Sequence, residues 1–196
     1  MIAADRVALV LLAAGASHRF GVADKLAAPF RGRPLAHHAA DTLAGMPFAG
    51  RFVVVGAGPS PLADRGFTLI ANPAPEAGQS RSIALGVAAA RAAGARAVLI
   101  ALADMPLVTT GHVQRLLMRH EGDRSIVASG DGARRAPPAL FGRAHFDALC
   151  HLDGDGGMRA LLAGATIVPV TPGELADVDT PADLAALQRV LGDRLG

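Results

Sequence analysis

The chain has 196 residues, of which 51% are apolar, and a net charge of +2, a composition that predicts a single globular domain over residues 1–196. Its apolar runs are far shorter than the ~20 residues of a membrane span, and residues 1–6 lack the basic region of a signal peptide, so we expect no membrane partner. The single cysteine excludes an internal disulfide and favours a cytoplasmic location. The arginines are scattered and only 4% of the residues are aromatic, which argues against a nucleic-acid partner and favours a small anionic ligand.

The first predicted element is a buried strand that leads into a loop of small residues. The apolar run 7–12 is short and branched, which is typical of a buried strand. The small residues and two glycines that follow leave backbone amides free to surround an anion, and a hydroxyl and two cations accompany them. We therefore predict a triphosphate-binding loop that contains Leu12, Ala13, Ala14, Gly15, Ser17, Arg19 and Lys25.

Lys25 is the one lysine among the 19 lysines and arginines of the chain. A compact ammonium on a flexible stem suits a site that handles phosphate, and the planar guanidinium of arginine does not replace it freely. The alternative is a surface lysine without a function. The composition favours a functional lysine, because arginine occupies every other basic position.

Further along, a helix is predicted from Pro34 to Leu43, and the apolar runs 52–55 and 67–71 predict two more buried strands. Gly56-Ala57-Gly58 follows the first of these strands. It is not a dinucleotide-binding fingerprint, because Pro61 stands where a third glycine is required.

Polar residues crowd the start of the next predicted helix, which runs through Arg91. Gln79, Ser80 and Ser82 stand there after Gly78. Ser80 or Ser82 could cap the helix, and the same polar group could equally form an edge that binds an anion. The residues alone leave both interpretations open.

The most apolar strand is predicted over residues 97–102, and it should lie at the centre of the sheet. Asp104 follows it, and a carboxylate at the carboxyl end of a central parallel strand lies where open α/β sheets bind ligands. Asp104 could also cap the next turn. Facing a phosphate-binding loop, it is better explained as a ligand of Mg²⁺, which completes its shell with phosphates and water.

The last third of the chain contributes a predicted helix over 110–119, strands over 125–129 and 166–170, and helices over 158–162 and 181–191. Residues 131–138 are rich in turn formers, which favours a lid or an acceptor-binding loop. Asp155 could cap the helix that follows it.

Thr180 and Asp183 form a capping box, which leaves the nearby carboxylates of Asp177 and Asp179 without an explanation. Asp177 and Asp179 share one face of an extended segment and are candidates for the second side of the metal site.

These residues resemble a known family, the MobA-like nucleotidyltransferases, and within it the MocA-like branch of molybdenum cofactor cytidylyltransferases. The matching segments occur in the family's order and cover nearly the whole chain. They are residues 12–21 with Lys25, 72–73 with 78–83, 104–106, 138–143, 154–159 and 177–181.

The resemblance implies a three-layer α/β/α Rossmann-like nucleotidyltransferase fold with a mostly parallel central sheet. It also implies Mg²⁺-dependent transfer of CMP from CTP to molybdopterin with release of pyrophosphate, and a molybdenum hydroxylase as the recipient of the product. Ala14 resembles the cytidylyl branch, because the guanylyl branch usually has glycine there. Implied roles are catalysis for Arg19, Lys25 and Asp104; nucleotide binding for the loop with Gly78, Gln79 and Ser82; Mg²⁺ binding for Asp104, Asp177 and Asp179; and acceptor binding for Pro138, Asp155 and Arg159.

Two alternatives stay open at this point. The same chemistry could use another nucleotide such as GTP, or another phosphorylated acceptor such as a sugar or polyol phosphate. A non-catalytic chaperone that binds molybdopterin is the alternative of a different class.

Overall fold

The structure is a computed structural model that describes residues 1–15, 20, 24–130, 134–154, 156–171, 173–174 and 176–192. Strands and helices alternate along most of the chain. In chain order they are β1 Val7–Ala13, β2 Pro29–Phe30, β3 Arg33–Pro34, α1 Leu35–Ala44, β4 Gly50–Val55, β5 Thr68–Ala71, α2 Gln79–Ala92, β6 Ala97–Leu102, α3 Thr110–Met118, β7 Ile126–Gly130, β8 Arg135–Gly142, α4 Phe146–Cys150, α5 Gly156–Leu162, β9 Thr166–Pro169 and α6 Pro181–Gly192.

Seven strands form the central sheet in the order β5-β4-β1-β6-β8-β7-β9. β1 pairs in parallel with β4 and β6, β4 with β5, and β7 with β9, whereas β8 is antiparallel to both of its neighbours. The mostly parallel sheet predicted from the sequence is confirmed. The prediction that 97–102 is the central strand is also confirmed, because β6 lies in the middle of the sheet.

Helices cover both faces of this sheet. The alternating side chains of β1 show how the layers divide, because Leu9 and Leu11 pack with α1 and α3, whereas Ala8 and Val10 pack with α2, α4 and α5. Every residue from Val7 to Leu11 is fully buried, as expected for a strand with helices on both sides. The result is the three-layer α/β/α architecture.

α6 packs outside these two layers, on a small cluster formed by Phe30, Leu35 and Val178. Its start is the predicted capping box. The Thr180 hydroxyl accepts a hydrogen bond from the Asp183 amide at 3.1 Å, and the Asp183 carboxylate accepts one from the Thr180 amide at 2.8 Å. No helix within the described ranges is long and apolar enough to span a membrane.

The structure decides one open alternative and corrects one predicted boundary. Neither Ser80 nor Ser82 caps α2; Gly78 occupies the cap position with a φ of 91°, a backbone conformation that glycine adopts without strain. The turn-rich segment ends earlier than predicted, since β8 already begins at Arg135. Its two prolines are tolerated because the pairing of β7 with β8 shifts register between Ala128 and Ser129, where residues 137–138 pair with neither neighbour.

Candidate active site

The candidate site lies where β1 and β6 end side by side. The Ala103 amide, just past β6, donates a hydrogen bond to the Leu12 carbonyl at 3.0 Å, which ties the two strand ends together. Asp104 is the next residue. It therefore emerges at the carboxyl edge of the central strand, beside the small-residue loop that follows β1, as the sequence predicts.

Lys25 connects this edge to the C-terminal part of the chain. A short 3₁₀ turn, Lys25–Ala27, presents it, and Asp24 caps that turn by accepting a hydrogen bond from the Leu26 amide at 2.9 Å. The Lys25 Nζ lies 2.7 Å from Asp104 Oδ2 and 3.0 Å from Asp179 Oδ1. Three predicted site residues from distant parts of the sequence thus meet through one ammonium group.

Burial and charge act in opposite directions on this group of side chains. Burial raises the pKa of Asp104, the Lys25 ammonium lowers it in part, and the nearby carboxylates of Asp179 and Asp177 raise it again. Burial would lower the pKa of Lys25, but the charges of Asp104 and Asp179 outweigh it and raise that pKa. Lys25 therefore carries its positive charge at neutral pH.

The carboxylates offer oxygen ligands to a cation. Asp104 Oδ1 is buried and has no hydrogen-bond partner among the described residues, which fits a carboxylate that binds a further positive group. Asp177 lies on the outer side, where its Oδ2 is 3.3 Å from Nη2 of Arg134. Within the described part of the chain, no three His, Cys, Asp or Glu side chains already form a metal-binding cluster.

A cavity of about 270 Å³ opens beside the loop. Ala13, Ala14 and Gly15 line it together with residues 55–61, at and after the end of β4. Leu12, also predicted to contact the nucleotide, is largely buried in the core beneath them. Gly56-Ala57-Gly58, which does not match the dinucleotide fingerprint, nevertheless lines this cavity. The sequence signal for its role is its position directly after a buried parallel strand.

The start of α2 holds the next predicted residues. Gly78 is partly buried and Gln79 is exposed. Ser82 is buried and its hydroxyl accepts a hydrogen bond from Asn72 Nδ2 at 2.9 Å. Asn72, which is fully buried, also accepts a hydrogen bond from the Ala74 amide at 3.0 Å. Asn72 thus holds the start of α2 against the end of β5, a role that the sequence reasoning missed.

Two of the three predicted acceptor residues, Pro138 and Arg159, lie within the described part of the chain. Pro138 is buried in β8, and its carbonyl accepts a hydrogen bond from the Ser129 hydroxyl at 2.7 Å. Arg159 is exposed on α5. Asp155, together with Ser17 and Arg19 of the loop, lies outside the described residues.

Behind the carboxylates lies a buried polar group that the sequence reasoning did not identify. Glu174 accepts hydrogen bonds from the Thr109 hydroxyl at 2.8 Å, and from the amide and hydroxyl of Thr171 at 2.9 and 2.8 Å. Burial would raise the pKa of Glu174, but these hydrogen bonds outweigh it and hold the pKa below its ordinary value. Glu174 is therefore an ionised carboxylate inside the fold.

Comparison with known proteins identifies the family. Residues 9–170 match the family described as the MobA-like NTP transferase domain. The chain belongs to this family. It therefore carries a nucleotidyltransferase domain, and the predicted resemblance is confirmed at the level of the family.

Three relatives carry names that differ from one another. The chain is 31% identical over 164 residues to the nicotine blue oxidoreductase of Paenarthrobacter nicotinovorans, covering 78% of this chain and 79% of that protein. It is 33% identical to the purine catabolism protein PucB of Bacillus subtilis and 34% identical to the phosphoenolpyruvate guanylyltransferase of Conexibacter woesei, matching 59% and 62% of this chain. It spans only 58% and 57% of the lengths of those two proteins.

Solved structures share the fold. Rv0371c from Mycobacterium tuberculosis superposes with a TM-score of 0.80 at 22% identity, over 95% of this chain and 99% of that one. A nucleotidyl transferase from Methanothermobacter thermautotroptrophicus superposes with a TM-score of 0.78 at 20% identity, over 96% and 98%. At these identities the likeness concerns the fold, and it confirms the predicted Rossmann-like nucleotidyltransferase architecture.

Proposed function

We propose that the protein is a divalent-cation-dependent nucleotidyltransferase that moves CMP from CTP to the phosphate of molybdopterin and releases pyrophosphate. The observation that carries this proposal is the contact of Lys25 with Asp104 and Asp179 beside the small-residue loop. Phosphoryl-transfer sites work mainly by positioning and charge neutralisation, and this group of charges is suited to both.

The reaction needs no nucleophile from the protein. An oxygen of the acceptor phosphate forms a bond to the α-phosphorus, the bond from that phosphorus to the bridging oxygen breaks, and the electron pair leaves with pyrophosphate. The loop amides after β1 and the Lys25 ammonium would hold the triphosphate, with Arg19 as a further cation. Holding the two phosphate groups in line is the main contribution of the protein.

The residues present fit a divalent cation. Asp104, whose buried Oδ1 has no hydrogen-bond partner within the described ranges, and Asp179 would hold it, with Asp177 beside them. Bound there, Mg²⁺ would supply positive charge to the phosphate oxygens. Two or three carboxylates are enough, because Mg²⁺ takes few protein ligands and retains waters and phosphate oxygens.

The identity of the nucleotide rests on Ala14, which lines the cavity and is only 6% exposed. A methyl group at this position takes space that glycine would leave for a larger base, which favours a pyrimidine. Guanylyl transfer is the second candidate, because one relative is named a phosphoenolpyruvate guanylyltransferase. Oxidoreductase activity, as named for another relative, gains no support, since the segment after β4 lacks the dinucleotide fingerprint.

The test is pyrophosphate release by the purified protein with Mg²⁺, comparing CTP, GTP, ATP and UTP with molybdopterin as acceptor. Turnover with CTP alone is the expected result, and Asp104→Asn should abolish it. Asp123→Asn is the control, because Asp123 pairs with Arg96 just before the opposite end of β6. Turnover with GTP and phosphoenolpyruvate instead would favour guanylyl transfer. No turnover with any nucleotide, together with tight molybdopterin binding, would favour the chaperone.

A further inference from the structure

Glu174 lies at the start of the segment that carries Asp177 and Asp179, and both ends of that segment are fixed to the residues that follow β6. At one end, Glu174 Oε1 accepts a hydrogen bond from the hydroxyl of Thr109, the residue that precedes α3. At the other end, the Val178 amide donates to the Asp104 carbonyl at 3.1 Å. Two hydrogen bonds, Thr109 to Glu174 and Val178 to Asp104, therefore join the two segments.

The hydroxyl of Thr109 has a defined orientation in this arrangement. It caps α3 by accepting a hydrogen bond from the His112 amide at 3.1 Å, so its proton is free to point at Glu174. Thr171 donates two further hydrogen bonds to the other oxygen, Oε2. Three donors thus fix both oxygens of a buried carboxylate, which leaves its side chain one orientation.

A directional chain of hydrogen bonds leads to β8 from Arg115, which forms an ion pair with Glu174. Arg115 Nη2 lies 3.7 Å from Glu174 Oε2 and 3.0 Å from Nδ1 of His112. Because a guanidinium only donates, Nδ1 accepts and Nε2 carries the proton. Nε2 then donates to the Ser129 hydroxyl at 2.7 Å, which in turn donates to the Pro138 carbonyl. His112 and Ser129 are buried, so this chain connects α3 with β7 and β8 inside the fold.

We propose that Glu174 is a positioning residue that sets the affinity of the site for a divalent cation. By joining Thr109 and Thr171 through its carboxylate, Glu174 holds the carboxylates of Asp177 and Asp179 at a fixed distance from Asp104. Carboxylates on two separate segments bind one small cation tightly only if their separation is fixed before the cation arrives. This inference rests on the cation site of the proposed function.

A purely structural role for Glu174 predicts a different result. A buried carboxylate with three donors also stabilises the fold, and its loss would lower the melting temperature whether or not it orders the site. Melting temperature alone therefore does not distinguish the two roles. The affinity for Mn²⁺ without nucleotide does, because it depends on the separation of the carboxylates.

The experiment titrates the full chain with Mn²⁺ by calorimetry and electron paramagnetic resonance, and records the melting temperature of each variant. Glu174→Gln should weaken Mn²⁺ binding by about tenfold or more, the range typical of residues that support metal ligands. Thr171→Val removes one of the three donors and should weaken it less, in a protein that retains the other contacts. Thr171→Val therefore tests the positioning role even if Glu174→Gln folds poorly.

His120→Ala is the matched control. His120 is buried, follows the far end of α3, and accepts a hydrogen bond from the Gly122 amide at 3.3 Å. Its loss should lower the melting temperature and leave Mn²⁺ affinity unchanged.

Turnover is assayed in parallel. Glu174→Gln should lower kcat more than it raises KM for the nucleotide, because the loop after β1 is left intact.

The outcomes separate the two proposals. If wild type binds Mn²⁺ in a manner that Asp104→Asn abolishes, and the Glu174 and Thr171 variants bind it equally well, the positioning role is overturned and the cation site stands. If Asp104→Asn binds Mn²⁺ as wild type does, the cation site itself is overturned, and the role of Glu174 falls with it.

Discussion

Replacing Lys25 by methionine should change cation binding and catalysis in opposite directions. Methionine has a similar length and fills the largely buried position of Lys25, but it removes the ammonium that Asp104 and Asp179 share. If these carboxylates hold the divalent cation, the ammonium competes with it for the same oxygens. Lys25→Met should therefore bind Mn²⁺ more tightly than wild type, and yet turn over far more slowly because the triphosphate loses a positive partner.

The size of the effect follows from the charges. An ammonium and a divalent cation on the same carboxylates would lie about 4 Å apart, where their repulsion is about 2 kcal/mol in water and about 8 kcal/mol at an effective dielectric constant of about 20. The Lys25 and Asp104 side chains are largely buried, whereas the Asp179 side chain is 45% exposed and is screened by water, so the lower figure is the minimum expected. About 2 kcal/mol corresponds to roughly 30-fold tighter binding.

The assay is a Mn²⁺ titration without nucleotide, followed by steady-state kinetics with CTP. Circular dichroism establishes that the variant is folded. Unchanged or weaker Mn²⁺ binding by a folded Lys25→Met protein would refute the reasoning, since the cation would then not use the oxygens that Lys25 occupies. Unchanged kcat/KM would refute the assignment of Lys25 to the triphosphate.

Three further predictions concern the structure around the site. Gly86→Ala should destabilise the fold by about 1–2 kcal/mol in urea denaturation, despite the higher helix propensity of alanine. The new methyl group would overlap both methyl carbons of Val10, so rotating this valine gives no relief. Equal or higher stability would contradict the packing of α2 on β1. Asn72→Ala should cost about 2 kcal/mol or more by leaving the Ala74 amide without its acceptor, and a loss no larger in Asn72→Ala than in Asn72→Asp would count against this role. The pKa of Glu174 lies below its ordinary value of 4.5, so its contribution to stability is complete above that pH and is lost as the pH falls through the lowered pKa. The stability difference between wild type and Glu174→Gln should therefore stay constant above pH 4.5 and shrink as the pH falls below it. A difference that does not shrink in acid would contradict this prediction.

The sequence predicts Lys25 and Asp104 because simple rules apply to them. A carboxylate after the most apolar strand has to lie at the carboxyl edge of the sheet, and a small-residue loop after a neighbouring strand lies at the same edge. The i, i+2 rule brings Asp177 and Asp179 forward as candidates. It does not predict that Asp179 contacts Lys25 while Asp177 contacts Arg134, because that division depends on how the segment packs against the rest of the fold.

Glu174 could not have been found in this way. Its partner Thr109 is 65 positions away in the sequence, and neither residue belongs to a periodic pattern or a spaced motif. Likewise, the two prolines of β8 resemble a turn locally, and only the register shift with β7 makes them acceptable in a strand. Contacts between distant segments decide both cases, so local sequence rules could not predict them.

The charges of the site explain why a support such as Glu174 is needed. Asp104, Asp177 and Asp179 repel one another, and Lys25 and Arg134 neutralise them only in part, which leaves a net charge of −1 among these five side chains. Without a fixed backbone, the segment that carries Asp177 and Asp179 would move away from Asp104 to relieve this repulsion. The Val178 amide and the Glu174 carboxylate oppose that movement from outside the charged group. The carboxylates consequently stay close enough to compete for one ammonium, and for the same reason close enough to bind one divalent cation.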